Sequence, residues 1–464
     1  MGIESGMILA KIFEQFVEKT PVTVMARATI EYALPSEQLD ALFDKHAEHQ
    51  YTRQLLFSSV VDLMGVVVCK IHPSVNAAFK AVEVTLPASI QALYDKLNHT
   101  EPDITSLLVS HTAQRLASVV REMHGQMPAL LPGFQVRIID GSHLAATQRR
   151  LEVLRGSIAG PLPGHSLVVL DPELMLATHM IPCEDGHAQE RSLSAQILGL
   201  VKEHDVWIAD RNFCTTALLA GIAKEKACYV IRHHANLTIV SAGTLRKCGR
   251  TETGDVYEQS VTIREPGAVT VETRRIVLRL DKPTRDGDCE MAILTNLPKK
   301  AASGVRVAEL YRKRWKVETM FQSLTQMLNG EIDTLAYPRA ALLGFATALV
   351  SYNVLSTVQA ALRAAFGTEK VQNEVSSYYI ANEIRVNTGG MSIVLEPEVW
   401  EVFQTMKPAA FAKKMLEWAS HAHLPKYKRS PRGPKKPVPK RTRFPNETHV
   451  STARLLAEAR KKSP

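Results

Sequence analysis

The sequence predicts an α/β protein whose strand-rich central core is flanked by helical regions and interrupted by a β-rich stretch. Three observations predict it. Residues 1–130 carry apolar side chains at helical spacing. From about residue 131 the pattern changes to short β-rich runs bounded by turn residues, alternating later with helical segments. Beyond residue 340 it returns to helix. This divides the chain into a helical N-terminal domain (1–130), a core (131–340) holding the β-rich stretch 237–297, a helical C-terminal region (341–420) and a basic tail (421–464).

In the first region, helices are predicted over Ser36–His49, Arg53–Val68, Ser74–Glu83, Ala88–Leu97 and Ile104–His124, with Pro35, Pro73, Pro87 and Pro102 at or near their starts. In the core, Phe134–Ile139, Arg150–Leu154, His165–Leu170 and Leu174–Ile181 read as strands. Gly186–Lys202 reads as a helix. Strand Val206–Ala209, helix Thr215–Lys224 and strand Cys228–Arg232 follow. Residues 237–297 are rich in Thr, Val, Ile and Arg with β-type alternation, as in Glu272–Leu280. Ala340–Phe366 is the most apolar segment. Gly344, Thr347, Ser351, Asn353 and Arg363 interrupt it, so it reads as a buried helix rather than a membrane span.

With 464 residues the chain has room for a sizeable core, and its 45% hydrophobic content is that of an ordinary globular protein. Lys11 and Glu14 break the short apolar stretch near the start, so no signal peptide is predicted, and Gly6 stands where a myristoylation signal wants Ser or Thr. The six cysteines are scattered without a CxxC, which argues against a disulfide framework or a zinc knuckle. A cytoplasmic protein is expected. Residues 421–464 hold 13 lysines and arginines against two glutamates, net +11, whereas the whole chain is +9. The basic excess therefore belongs to the tail. Lys426–Arg443, mixing Lys, Arg and Pro, is expected to lack a core of its own and to serve as a nucleic-acid arm. Ser451–Lys462 is expected to form a short helix.

The segment Tyr-Arg-Lys-Arg-Trp-Lys-Val-Glu (311–318) concentrates chemistry. On one helix, Tyr311, Arg314 and Glu318 fall within an arc of roughly 60°. Leu310, Val317, Phe321, Leu324 and Leu328 form an adjoining apolar stripe that faces a core. Taken alone, this is equally an amphipathic helix with a solvated i,i+4 ion pair. Two aspartates elsewhere change the balance. Asp140 ends the apolar run Phe134–Ile139 before Gly141, and Asp210 ends the run Asp205–Ala209. Either alone reads as a turn or capping residue. Three carboxylates converging on one site need cations, and hard oxygen ligands favour Mg²⁺, with Mn²⁺ as a substitute. Two such ions about 3.5–4 Å apart suit phosphodiester cleavage and strand transfer.

With these residues the chain resembles the DDE transposases of the insertion-sequence-four type, whose catalytic helix carries a Tyr-Arg-Glu-Lys signature. The resemblance rests on TPVTVMARATIEYALP, QYTRQLLFSSVVDLM, IIDGSHLAAT, PLPGHSLVVLDPELML, CEDGHAQERSL, WIADRNFC, YRKRWKVETMF and HVSTARLL. It implies a ribonuclease-H-like catalytic core with a β-rich insertion between Asp210 and Glu318. It implies Asp140, Asp210 and Glu318 as catalytic, metal-binding residues, and Tyr311 and Arg314 as DNA contacts. The expected function is cut-and-paste transposition: hydrolysis at the transposon ends and strand transfer into target DNA. The expected partners are terminal-repeat and target DNA and a second copy of the chain on DNA, with no membrane. One position departs from the signature: Thr325 stands where the family has lysine. Two rival readings are a transposase-derived DNA-binding protein without catalysis and a metal-dependent endonuclease without strand transfer. The family's insertion can carry an aromatic that receives a flipped base, and Tyr257 is the only bulky aromatic in 237–297. His143 reads as a surface polar residue, Arg232 as a weaker candidate phosphate contact, and Glu184 and Asp185 as N-terminal residues of the helix that follows.

Overall fold

Helical periodicity folds the start of the chain into seven helices in the computed structural model, which describes residues 2–48, 55–84, 86–264, 270–284, 287–430, 443–444 and 446–462. They are α1 (Gly2–Lys19), α2 (Pro21–Ala33), α3 (Ser36–His46), α4 (Phe57–Val68), α5 (Val75–Val82), α6 (Ile90–His99) and α7 (Pro102–Glu122). Pro21 and Pro102 occupy first turns, where their missing N–H costs nothing. Ser74 and Ser89 cap α5 and α6, each hydroxyl accepting from a backbone N–H three residues on. The helix expected from Arg53 starts at Phe57, and residues 53–54 lie outside the described residues.

The core begins with β1 (Gln135–His143), the short helix α8 (Glu152–Arg155), β2 (Gly160–Leu162), β3 (His165–Asp171) and β4 (Leu176–Cys183). It continues with α9 (Ser194–Leu198), β5 (Asp205–Ala209), α10 (Thr216–Lys224) and β6 (Cys228–Arg232). Two expectations are corrected here. Arg150–Leu154 is no strand: both ladder edges of β1 are taken by β3 and β5, and the run ends in α8. The helix expected over Gly186–Lys202 shrinks to a 3₁₀ turn at Glu190–Leu193 and α9. Gly186 is pressed against Leu162, where a Cβ would lie 2.6 Å from the Leu162 Cβ, and Asp185 closes a turn by accepting from His187 N.

The β-rich stretch supplies β7 (Ile239–Ala242), β8 (Arg246–Thr251), β9 (Gly254–Ile263), β10 (Val271–Leu280) and β11 (Glu290–Thr295). Rather than folding apart, it extends the same sheet. Among the described residues the strands run β4-β3-β1-β5-β6-β11-β10-β9-β7, with β8 also paired to β9. β1, β5 and β6 are parallel, and β3, β4 and β11 are antiparallel to their neighbours. Alternation sends Val136, Ile138, Val206 and Ile208 into a core beneath the helices, and Ile139, Trp207 and Ala209 into a second core against α9 and α10.

The remaining helices are α11 (Gly304–Arg312), α12 (Trp315–Gln326), α13 (Pro338–Phe366), α14 (Thr368–Glu374), α15 (Ser377–Val394), α16 (Glu398–Glu401) and α17 (Pro408–Ser420). α13 is the apolar segment and is a core helix, with 94% of its most apolar window buried. It is surrounded by α2, α4, α6, α7 and α17, so helices from both ends of the chain share one core on one face of the sheet. Asn353, wholly buried, ties α13 to β4: its Oδ1 accepts from Ala177 N at 2.7 Å and its Nδ2 donates to Ala177 O at 2.9 Å.

Most of the basic run (431–442) lies outside the described residues. Its flanks are docked. Tyr427 is buried and its hydroxyl donates to Glu383, while Arg429 N donates to Glu374 O. On the other side, Arg443 pairs with Asp333 at 3.1 Å and β12 (His449–Ser451) pairs in parallel with β2. The expected terminal helix forms as α18 (Thr452–Lys462), where Arg454 grips Asp185.

Candidate active site

The last parallel pair between β1 and β5 is Ile138 with Ile208. Asp140 and Asp210 each lie two residues further on, so two neighbouring strands deliver an aspartate at the same level and toward the same face. The β1 strand does not end at Asp140 as expected. It runs on to His143, paired with β3, while β5 stops at Ala209 and the two strands part. Asp210 stays extended (φ −79°, ψ −175°) and caps the next turn, its Oδ1 accepting from Asn212 N at 2.7 Å. It is therefore a capping residue and a neighbour of Asp140 at once.

Residues 311–318 were expected on one helix, but the structure breaks it. Tyr311 belongs to α11, Arg314 precedes α12, and Glu318 lies in the first turn of α12. The backbone tightens to i,i+3 bonds at the junction, with Arg314 N donating to Tyr311 O and Val317 N to Arg314 O. The apolar stripe is buried as expected, Val317 and Phe321 included. α12 packs against β1, which brings Arg314 between two acids. Its Nη1 donates to Asp140 Oδ2 at 2.9 Å and its Nη2 to Glu318 Oε1 at 2.5 Å. Its Nε is buried without a partner. Tyr311 is buried beside the same group. Burial pushes its phenol up, Arg314 and Arg232 pull it down, and Asp210 adds to the rise.

Glu190 joins this cluster and was not anticipated. The sequence put it inside a helix, and although it lies in the stretch CEDGHAQERSL it was given no role. In the structure its Oε1 lies over Gly141, where a Cβ would come within 1.9 Å, and its Oε2 accepts from Asn212 Nδ2 at 3.2 Å. Burial, then Asp210, pushes its carboxyl up to about 7. Asp140 is likewise pushed up to about 6, first by burial, with Arg314 opposing and Asp210 adding. Four carboxylates thus cluster near one guanidinium, which bonds two of them, Asp140 and Glu318. As they stand, no three Asp, Glu, His or Cys side chains among the described residues are grouped to hold one ion. The donor set nonetheless suits a hard divalent ion, since Arg314 already occupies a cation's place between Asp140 and Glu318.

Residues 132–354 match the family model described as the transposase DDE domain. No curated protein matches the chain. The matched stretch opens just before β1, closes within α13 and includes Asp140, Asp210 and Glu318. It supports a DDE transposase, a family whose members in general cleave DNA with divalent metal ions. DDE domains are in general ribonuclease-H-like, and this one is built on a large mixed sheet with many helices.

Other residues singled out in the sequence find different settings around these carboxylates. Thr325 is exposed on α12, its hydroxyl donating back to Phe321 O at 3.0 Å. Arg232 pairs with Asp288 at 2.7 Å. The His143 ring lies 5.2 Å from that of His165. Tyr257 is covered by the Arg279 guanidinium, 4.4 Å from its ring centre. Glu184 and Asp185 do not start a helix; they pair with Arg339 and Arg454. Trp315, beside Arg314, is 62% exposed.

Proposed function

We propose that this chain is an insertion-sequence transposase of the insertion-sequence-four type, cutting DNA at the element's ends and joining them to target DNA. The observation that carries this reading is the Arg314 bridge between Asp140 and Glu318, with Asp210 level with Asp140 on the next strand. Asp140, Asp210 and Glu318 would hold Mg²⁺, or Mn²⁺ in its place. Bound there, such ions supply an activated water or 3′-hydroxyl and offset charge on the leaving oxygen.

The chain's own side chains do the positioning. Arg314 holds two carboxylates apart until phosphate competes for its guanidinium, a fork that matches phosphate geometry. Tyr311 offers a phenol from a buried ring, held in place by the core around α11. The ribonuclease-H-like arrangement β4-β3-β1-β5-β6 sets the two aspartates, and α12 adds the glutamate. The N-terminal helices and the basic run 431–442 are the segments proposed to bind the repeats, in a homodimer that pairs two ends.

The test is a cleavage assay on a duplex carrying the terminal repeat that flanks this reading frame, with Mg²⁺, comparing wild type with Glu318→Gln. Metal-dependent nicking at the repeat boundary, absent in the variant, supports the reading. Strand transfer products separate a transposase from an endonuclease. A second reading, a DNA-binding relative without catalysis, draws on the neutral Thr325. Repeat-specific binding without cleavage by either protein would favour it.

A further inference from the structure

Beside Asp210 the structure opens a polar cavity of about 470 Å³, walled by Glu190, Arg191, Arg211, Asn212 and His234 over a floor that includes Leu237. Glu190 and Asn212 belong both to this cavity and to the acidic cluster, so the two are continuous. Its volume lies within the roughly 300–1,000 Å³ of ordinary ligand pockets. Leu237 is buried, whereas Arg191 and Arg211 are exposed at the rim.

Arg137, Arg149, Arg232 and Arg314, which surround the same half of the sheet, each reach a carboxylate. Among the described residues no ion pair joins Arg191 or Arg211 to an acid, although each follows one directly in sequence. The acids Glu190 and Asp210 are turned to the cluster, and the arginines are left facing the cavity. Arg191 Nε donates to Gln189 Oε1, which orients that guanidinium. Oriented guanidiniums with open donors, on the rim of a site that handles a phosphodiester, match phosphate oxygens in charge and geometry.

We propose that this cavity is a backbone-phosphate subsite, in which Arg191 and Arg211 hold the DNA strand next to the bond being cut. The inference rests on the reading of the acidic cluster as a DNA-cutting site. Contacts of this kind set position and register along the strand and carry no sequence preference of their own.

The experiment measures binding of the full-length protein to the labelled repeat duplex, without Mg²⁺, across a series of salt concentrations. The same-length single strand is the second probe. Arg191→Ala and Arg211→Ala are each expected to reduce the slope of log affinity against log salt by about 0.9 on paired DNA or about 0.7 on an unpaired strand. Arg191→Lys and Arg211→Lys are expected to keep the slope, which a merely structural loss would not. Lys414→Ala, which breaks a surface pair with Glu417, serves as the control. Slopes unchanged from that control overturn the subsite. Wild-type cleavage with unchanged slopes in the variants removes the subsite alone. Reduced slopes with no cleavage by wild type keep the two arginines as phosphate contacts and remove the catalytic reading, and with it their place beside a bond being cut.

Discussion

Arg314 donates to Asp140 across 2.9 Å, although 174 residues separate them in sequence. The same guanidinium holds Glu318, so in the free protein an arginine occupies the gap between two candidate metal ligands. Metal ions must compete with it. Arg314→Ala is therefore expected to bind Mn²⁺ roughly tenfold more tightly in the absence of DNA, the scale of one charge-assisted hydrogen bond. Isothermal titration calorimetry measures this. Cleavage by the same variant should fall about 100-fold or more, since the phosphate contact proposed for Arg314 is lost. Weaker metal binding in the variant would contradict the competition.

Acidity gives a second prediction. The Asp140 carboxyl is pushed up to about 6 and that of Glu190 to about 7, in both cases first by burial. Both folded values lie above the unfolded ones. Each group therefore contributes stability that is full below the unfolded pKa and is lost as pH rises through the folded one. In EDTA the protein should melt at a higher temperature near pH 5.5 than near pH 8. Mg²⁺ should stabilise the protein more at the higher pH, because the ion needs ionised ligands. Scanning calorimetry at several pH values, with and without metal, checks both trends. A melting temperature that rises with pH in EDTA would show the carboxylates to be paired rather than crowded.

Gly141 tests the packing of the same cluster. A Cβ there would stand 1.9 Å from Glu190 Oε1 and must displace it. Gly141→Ala is expected to swing the Glu190 carboxylate aside and to cost the fold only about 1 kcal/mol or less, measured by denaturant unfolding. Adding Glu190→Ala to that variant should recover most of the loss. Failure of the second change to help would place the strain elsewhere.

Asn353 is the corresponding test of the fold. Its amide satisfies both backbone groups of Ala177 in a dry interior. Asn353→Leu leaves a buried N–H and C=O unpaired and should cost roughly 2–4 kcal/mol. The surface proposed to contact DNA is untouched, so a stable fraction of the variant should keep its DNA affinity.

The strands that carry chemistry were legible because each is a short apolar run with a polar residue at its end. Phe134–Ile139, Asp205–Ala209 and Cys228–Arg232 all appear close to where periodicity puts them. Arg150–Leu154 misled because apolar alternation says nothing about whether a neighbouring strand has a free edge. Gly186–Lys202 misled because its helix competes with the close packing of Gly186 on Leu162, a contact invisible in local sequence. Glu190 stands in the quoted stretch CEDGHAQERSL, but nothing local gave it a role: its place in the cluster comes from lying over Gly141, 49 residues earlier in the chain.

By itself the sequence determined the helical ends, the apolar α13, the apolar runs that lead to Asp140 and Asp210, and the pairing of Arg314 with Glu318 one turn on. All of these are local, set by side-chain period, turn residues and capping. Only the tertiary structure decided that Ile138 pairs with Ile208, which levels the two aspartates, and that α12 packs on β1, which threads Arg314 between two carboxylates. It also decided that the chain ends share one helical core and that 237–297 extends the main sheet. The physical reason is common to each case. Register and packing follow from burying two faces of one sheet at once, and that condition joins residues that no local pattern relates.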